Sequence, residues 1–249
     1  MAGQVDYKYV VSFIYQDMAY IRIDPLTFYA EEKVTDSVRN EIVSIIQDII
    51  RKTDPSECKE DIRKCGGFLN RVADAIVDKV YEGVEEYYRR AVKGGKAKRE
   101  IYFVITPADT RFPGFVNSLG DHMVTTSAFA VSAALAYLDN NCGGLTAYGI
   151  DFSDRELLRG FVRVAALLHD IGKPPPKGHT ERTKEVVYSL FKEVNEDLAK
   201  YLSEASSRHH YGVKYANKPR NFIEWIIAYA DKASQGLSWS AMRGCTTAL

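Results

Sequence analysis

The stretch that most restricts what this chain can become is VAALLHDIGKPPPKGHTERT, residues 164 to 183. A helix-period apolar run ends on His169 and Asp170, side by side. Such a run is built for burial, and a carboxylate carried into an interior is costly unless a cation or donors meet it. The fold must therefore bring compensating groups to this corner from elsewhere in the chain. A divalent metal is one solution, because neutral imidazole and carboxylate are its usual ligands in catalytic sites. Pro174, Pro175 and Pro176 restrict φ and offer no backbone donor, so they read as a rigid spacer that aims His179.

The histidines support this reading. The chain has five, His122, His169, His179, His209 and His210, and all fall between residues 122 and 210. His122 follows Asp121, His169 precedes Asp170, and His209 and His210 are adjacent. A further ligand is needed to close the site. Asp231 in WIIAYADKAS is the candidate, another acid at the end of an apolar helical face. Imidazole is borderline-soft and carboxylate hard, so a mixed set suits Mn, Fe, Co, Ni or Zn better than Mg or Ca.

Periodicity divides the chain in two. In residues 7 to 24, YKYVVSFIY and MAYIRID read as a hairpin turning at Gln16-Asp17 and closed by Asp24-Pro25. An amphipathic helix is predicted from about Thr35 to Arg51, with Val38, Ile42, Ile45, Ile46, Ile49 and Ile50 on one face. A second follows Gly66-Gly67, with Leu69, Val72, Ile76, Val80 and Val84 at helical spacing. KGGKAKRE reads as a flexible basic loop, and IYFVI at 101–105 as a short strand that joins the hairpin. From Ser118 onward the pattern predicts only helices and loops. The helices are His122–Leu138, Asp154–His169 with Ser153 or Asp154 as cap, one starting after His179 with Thr180 as cap, and Asn221–Gln235. The expected architecture is mainly α. Residues 1–110 form an N-terminal α/β accessory region, a short antiparallel sheet plus helices, and residues 111–249 form a helical bundle.

Composition removes some alternatives. Lys+Arg and Asp+Glu are both 33, so nucleic-acid binding would need a local basic patch rather than a global charge. The polar start, MAGQVDYKY, and the lack of an 18-residue apolar run predict a cytoplasmic protein with no membrane partner. Among Cys58, Cys65, Cys142 and Cys245 there is no CxxC pair, which argues against a cysteine zinc site. If Cys58 and Cys65 share a helix, two turns separate them by about 10 Å, too far for a disulfide. Free thiols are the expectation.

The ordered set His122, His169-Asp170, His179, His209-His210 and Asp231, with Lys173 completing HDxGK, resembles the HD-domain metal-dependent phosphohydrolase superfamily over residues 118 to 236. Its five histidines resemble the two-metal variants. DTRFPGFVNSLGDHMVTTSAFAVSAALA, from Asp109, is similar to the CRISPR-associated HD nuclease domains, both the HD part of the type I helicase-nuclease and the domain leading the large subunit of type I-D and type III effectors. The resemblance implies an HD-type bundle in which His122, His169 and Asp231 hold one metal, Asp170 bridges, and His179, His209 and His210 hold a second. It implies catalytic roles for Asp170, for Lys173 near the scissile phosphate, and for Ser234 beside the site. Only eight residues lie between Asp170 and His179, a shorter spacing than many two-metal members have. The implied cofactor is one or two transition ions, Mn, Ni, Co or Fe, with Mg the poorer match. Two ions about 3.5–4 Å apart would activate a water and offset phosphoryl charge.

The rim points to the substrate. Arg208, Lys214, Lys218 and Arg220, with Tyr211 and Tyr215, surround the His-His pair, and cations contact phosphates while rings stack on bases. The expectation is a metal-dependent nuclease cleaving single-stranded DNA, with other subunits of a CRISPR antiviral effector as partners. The competing readings are a nucleotide phosphohydrolase acting on a small phosphorylated metabolite and a docking module with a vestigial site.

Overall fold

The computed structural model describes residues 9–11, 21–23, 32–93, 98–106, 108, 118–140, 144–173, 177–211 and 217–246. Several expectations lie outside these residues: the Gln16-Asp17 turn, Asp24-Pro25, half of the KGGKAKRE loop, the start of the segment from Asp109, Cys142, the spacer Pro174–Pro176, and Lys214 with Tyr215.

Strands β1 (Tyr9–Val11) and β2 (Ile21–Ile23) pair antiparallel, Val10 opposite Arg22. Helices α1 (Glu32–Lys52) and α2 (Gly66–Lys93) follow. The apolar face predicted for α1 is buried, including Val38, Ile42, Ile45 and Ile46. The expected strand at 101–105 is instead helical: a 3-10 turn, Arg99–Ile101, runs into the short helix α3 (Tyr102–Ile105). Five aromatic and β-branched residues do not fix a period, and packing decides. Here the segment lies along α2, burying Ile101, Phe103 and Val104.

The second half begins with α4 (Leu119–Asp139), capped by Ser118 Oγ, which accepts from Asp121 N at 3.1 Å. A two-residue hairpin then departs from the helices-and-loops expectation: β3 (Thr146–Ala147) pairs with β4 (Ile150–Asp151). Its turn, Tyr148-Gly149, has both φ values positive, at 56° and 76°. That is the backbone of a tight two-residue hairpin loop. Next come α5 (Arg155–Leu167), α6 (His179–Phe191), α7 (Glu196–Ser207) and α8 (Phe222–Thr246). Asp154 Oδ1 caps α5 by accepting from Leu157 N at 2.7 Å, as one predicted alternative had it. Left-handed Gly178, not Thr180, precedes α6.

Helix α5 is the axis of the fold. Leu157, Leu158, Phe161, Val162, Val164, Ala165, Ala166 and Leu167 are all buried, and α2, α4 and α7 pack around it. Contact with α2 is close because glycines meet there. A Cβ on Gly160 would lie 2.8 Å from the Gly66 carbonyl oxygen. One hydrophobic cluster runs from Val38 to Ala230, so residues on both sides of position 110 share it. The mainly α expectation, a helical bundle with a small N-terminal antiparallel sheet, describes this architecture.

The cysteines differ from expectation. Cys58 and Cys65 form a disulfide, with Cα atoms 4.4 Å apart. They do not share a helix. A 3-10 turn, Ile62–Lys64, folds the chain back between them, and Cys65 directly precedes α2. The reading of this pair as free thiols is therefore corrected.

Candidate metal centre

Because α5 is buried on nearly all sides, the residues just past its end arrive in the interior. His169 is 0% exposed and Asp170 2%. Helix α4 packs on both α5 and α8, which brings His122 from its second turn and Asp231 from the middle of α8 to the same point; both are 1% exposed. The α6–α7 pair delivers His179 at the start of one helix and His209-His210 just past the end of the other.

Two clusters result. In the first, His122 Nε2 lies 3.2 Å from His169 Nε2 and 3.1 Å from Asp231 Oδ1, and His169 Nε2 lies 3.7 Å from the same oxygen. In the second, His179 Nε2 lies 3.3 Å from His209 Nε2 and 3.1 Å from His210 Nε2. Asp170 stands between them. Its Oδ2 is 3.4 Å from both His122 and His169, and its Oδ1 is 3.3 Å from His179 and 3.6 Å from His209. Ligands about 2.0–2.1 Å from one ion, at tetrahedral or octahedral angles, are spaced roughly 3.0–3.4 Å from each other. Most of the observed spacings match that edge length, the His169–Asp231 and His209–Asp170 spacings being slightly wider, and the donor atoms of each triad lie within 4.8 Å of one another.

The hydrogen bonds fix which nitrogen faces inward. His169 Nδ1–H donates to the Ala166 carbonyl at 2.7 Å, and His209 Nδ1–H to the Ser206 carbonyl at 2.8 Å. Each ring thereby turns its Nε2 toward the cluster, the nitrogen a metal would take. His122 Nδ1 is 3.1 Å from Ser234 Oγ, so Ser234, buried at 1%, orients His122.

Charge points the same way. Burial opposes ionisation of Asp170, yet Lys173 and His169 hold its carboxyl well below the usual range. Asp231 is likewise held low against burial, by His122 and His169. Burial disfavours a charged His169, but Asp170 and Asp231 overcome it and raise the ring to about 10. Burial and His169 push His209 well below its ordinary value, and burial and His179 push His210 to about 4. Both neighbouring imidazoles are thus neutral at pH 7, with lone pairs available. Asp170 Oδ1 is buried and accepts no hydrogen bond among the described residues. A buried carboxylate oxygen without a donor is what a bound cation would satisfy. These residues fit one or two divalent ions.

The loop from Asp170 to His179 works despite its length because of Gly172. A Cβ there would collide with the His179 carbonyl oxygen and the Thr183 backbone, so only glycine lets α6 start this close. Thr183 ties the loop down: Gly172 N donates to its Oγ1 at 3.0 Å, and that hydroxyl donates to the His169 carbonyl at 3.1 Å. Lys173 Nζ donates to Asp170 Oδ2 and to the Ala108 carbonyl, each at 2.7 Å, at the edge of the bridging carboxylate.

The rim residues divide. Lys218 and Arg220 are exposed, and Tyr211 is half-buried. Arg208 is not a rim residue. It is 6% exposed, its Nε lies 3.9 Å from both Glu204 and Glu224, and its Nη1 donates to the Lys218 carbonyl at 3.4 Å. Its charge is spent on holding the segment between α7 and α8. Glu224, fully buried, accepts from Arg220 N at 2.6 Å and from Tyr148 Oη at 2.7 Å. Sequence reasoning missed Gln235, whose Nε2 donates to Asp231 Oδ1 at 2.7 Å. The signal was present: Gln at i+4 from Asp on a helix is a neighbouring pair.

The HD domain family matches residues 119–235, a segment that holds all seven candidate ligands. No curated protein and no solved structure matches the chain. No helix among the described residues is long and apolar enough to cross a membrane.

Proposed function

With an HD domain at residues 119–235 as premise, and with it the metal-dependent phosphohydrolase chemistry that domain indicates, we propose that the chain is a two-metal phosphodiesterase: a nuclease that cleaves single-stranded DNA within a CRISPR antiviral effector. The observation that carries the two-metal reading is Asp170, whose two oxygens each face a separate cluster. Bound divalent ions would supply Lewis acidity, lowering the pKa of a water and offsetting charge on phosphoryl oxygens. The chain's own part is positional and electrostatic. Asp170 sets the relation between the clusters. Ser234 and Gln235 orient His122 and Asp231. Lys173, 86% shielded at its side chain and already paired to Asp170, holds a positive charge where a phosphate oxygen would gain negative charge. Support for a polynucleotide comes from the exposed Lys218 and Arg220 on the segment that follows the second cluster and leads into α8. Support for the CRISPR setting comes from the likeness of the segment beginning at Asp109.

The test is metal analysis of the purified protein with a nuclease assay on circular single-stranded DNA in Mn or Ni. The wild type is expected to bind up to two ions and degrade the strand. Asp170→Asn is expected to lose at least one ion and to cut at least a hundredfold more slowly. Turnover of free nucleotides with no strand cleavage would replace this reading with the small-metabolite phosphohydrolase.

A further inference from the structure

Three aromatic rings gather around the residue next in the chain to the second histidine cluster. Tyr211 follows His210 in the chain, and its ring centroid lies 5.7 Å from Trp225 and 5.8 Å from Tyr229. Trp225 and Tyr229 stack on each other at 5.5 Å with an interplanar angle of 27°. They are i and i+4 on α8 and so lie on one face. Asp231 lies on the opposite, buried face, so one helix carries a ligand inward and an aromatic pair outward. Trp225 is 36% exposed and Tyr229 59%. Apolar ring surface left together in water marks a binding face. The charges that flank these rings along the chain are cationic: Lys232, exposed one turn beyond Tyr229, lies 3.3 Å from Asp231 Oδ2, and Lys218 and Arg220 are exposed on the segment that leads into α8.

Flat rings with cations beside them, next to a cluster suited to phosphodiester chemistry, fit one occupant class better than a protein side-chain patch. Bases offer π-faces and the strand between them offers negative charge. We propose that Tyr211, Trp225 and Tyr229 form a base-stacking platform that grips a single-stranded polynucleotide beside the metal centre. This deepens, and rests on, the nuclease reading. The platform is indifferent to sequence, because every base has a stacking face. It fixes which part of the strand reaches the ligands.

The chain has two tryptophans, Trp225 and Trp239. In a Trp239→Phe background, emission therefore reports on Trp225 alone. Titration without divalent metal compares an oligothymidine strand with an abasic strand of equal length. Quenching by oligothymidine but not by the abasic strand is expected. By anisotropy of a labelled strand on protein that keeps Trp239, Tyr229→Ala and Trp225→Ala should each weaken oligothymidine binding by about five- to a hundredfold. Both should leave abasic binding unchanged, and Trp225→Phe should recover most of the loss. Equal binding of the two strands, or alanine variants as tight as wild type, overturns the platform; a protein partner competing for the face without any strand binding does so as well. A strand that is cleaved but bound equally when abasic sinks the platform and spares the nuclease. A strand that stacks but is never cleaved does the reverse.

Discussion

At the scale of single residues, the centre is held by groups that no metal would touch. Ser234 meets the far nitrogen of His122, Gln235 meets the ligating oxygen of Asp231, and Thr183 binds the backbone on both sides of Asp170. Such outer partners tune affinity because they fix ring orientation and ligand basicity. Ser234→Ala is therefore expected to weaken metal binding about 10- to 100-fold, read by competition with a chromogenic chelator, with little change in melting temperature without metal. An unchanged affinity would show that packing alone orients His122. The ligands themselves were legible because histidine is scarce here and its neighbours are acids. Their supporting partners were legible only in part: the family resemblance pointed to Ser234 and the i+4 spacing from Asp231 marked Gln235, whereas nothing in the sequence singles out Thr183. Arg208 was misplaced for the same reason: charge in a loop reads as rim, and only tertiary structure shows Glu204 and Glu224 waiting for it.

At the scale of elements, the segment between α7 and α8 is anchored through Glu224. Burial raises the pKa of this carboxyl, against the pull of Tyr148, Arg220 and Arg208. A carboxyl raised in the folded state stabilises the fold below its unfolded value, about 4.3, and that contribution is lost as pH climbs through the folded value. Glu224→Gln keeps an acceptor for Arg220 N and removes the titration. The melting temperature of the variant minus that of the wild type is thus expected to rise between pH 4 and pH 7, whatever its starting sign. A flat or falling difference would mean that Glu224 is not destabilised by ionising. Long periodic helices such as α1 and α5 were read from sequence to within a few residues. The division of α6 from α7 was not, although Asn195, followed by Glu196 and Asp197, is a strong start signal; its Oδ1 accepts from Leu198 N at 2.9 Å. IYFVI misled because five apolar residues suit a strand or a helix, and packing against α2 decided between them.

At the scale of the whole molecule, the Cys58–Cys65 bond ties the turn before α2 to that helix, and the Asn195 side chain donates to the Cys58 carbonyl at 2.9 Å. Closing a loop with sequence separation 7 contributes about 2–3 kcal/mol by the chain-entropy account, or about 5–10 °C for a chain of this size. A phosphine reductant should lower the melting temperature by that amount in the wild type and not in Cys58→Ala/Cys65→Ala. Equal melting with and without reductant would show the bond does not constrain the chain. Such bonds persist mainly where the surroundings are oxidising, so the pair lends no support to the cytoplasmic expectation.

The glycine-lined crossing of α2 with α5 has a practical corollary. The matched family segment contains every candidate ligand but not Phe68, Leu69, Val72 or Ile76, which cover the helix that leads into His169 and Asp170. Anyone wishing to graft this chemistry onto another scaffold must transplant its roof along with its floor.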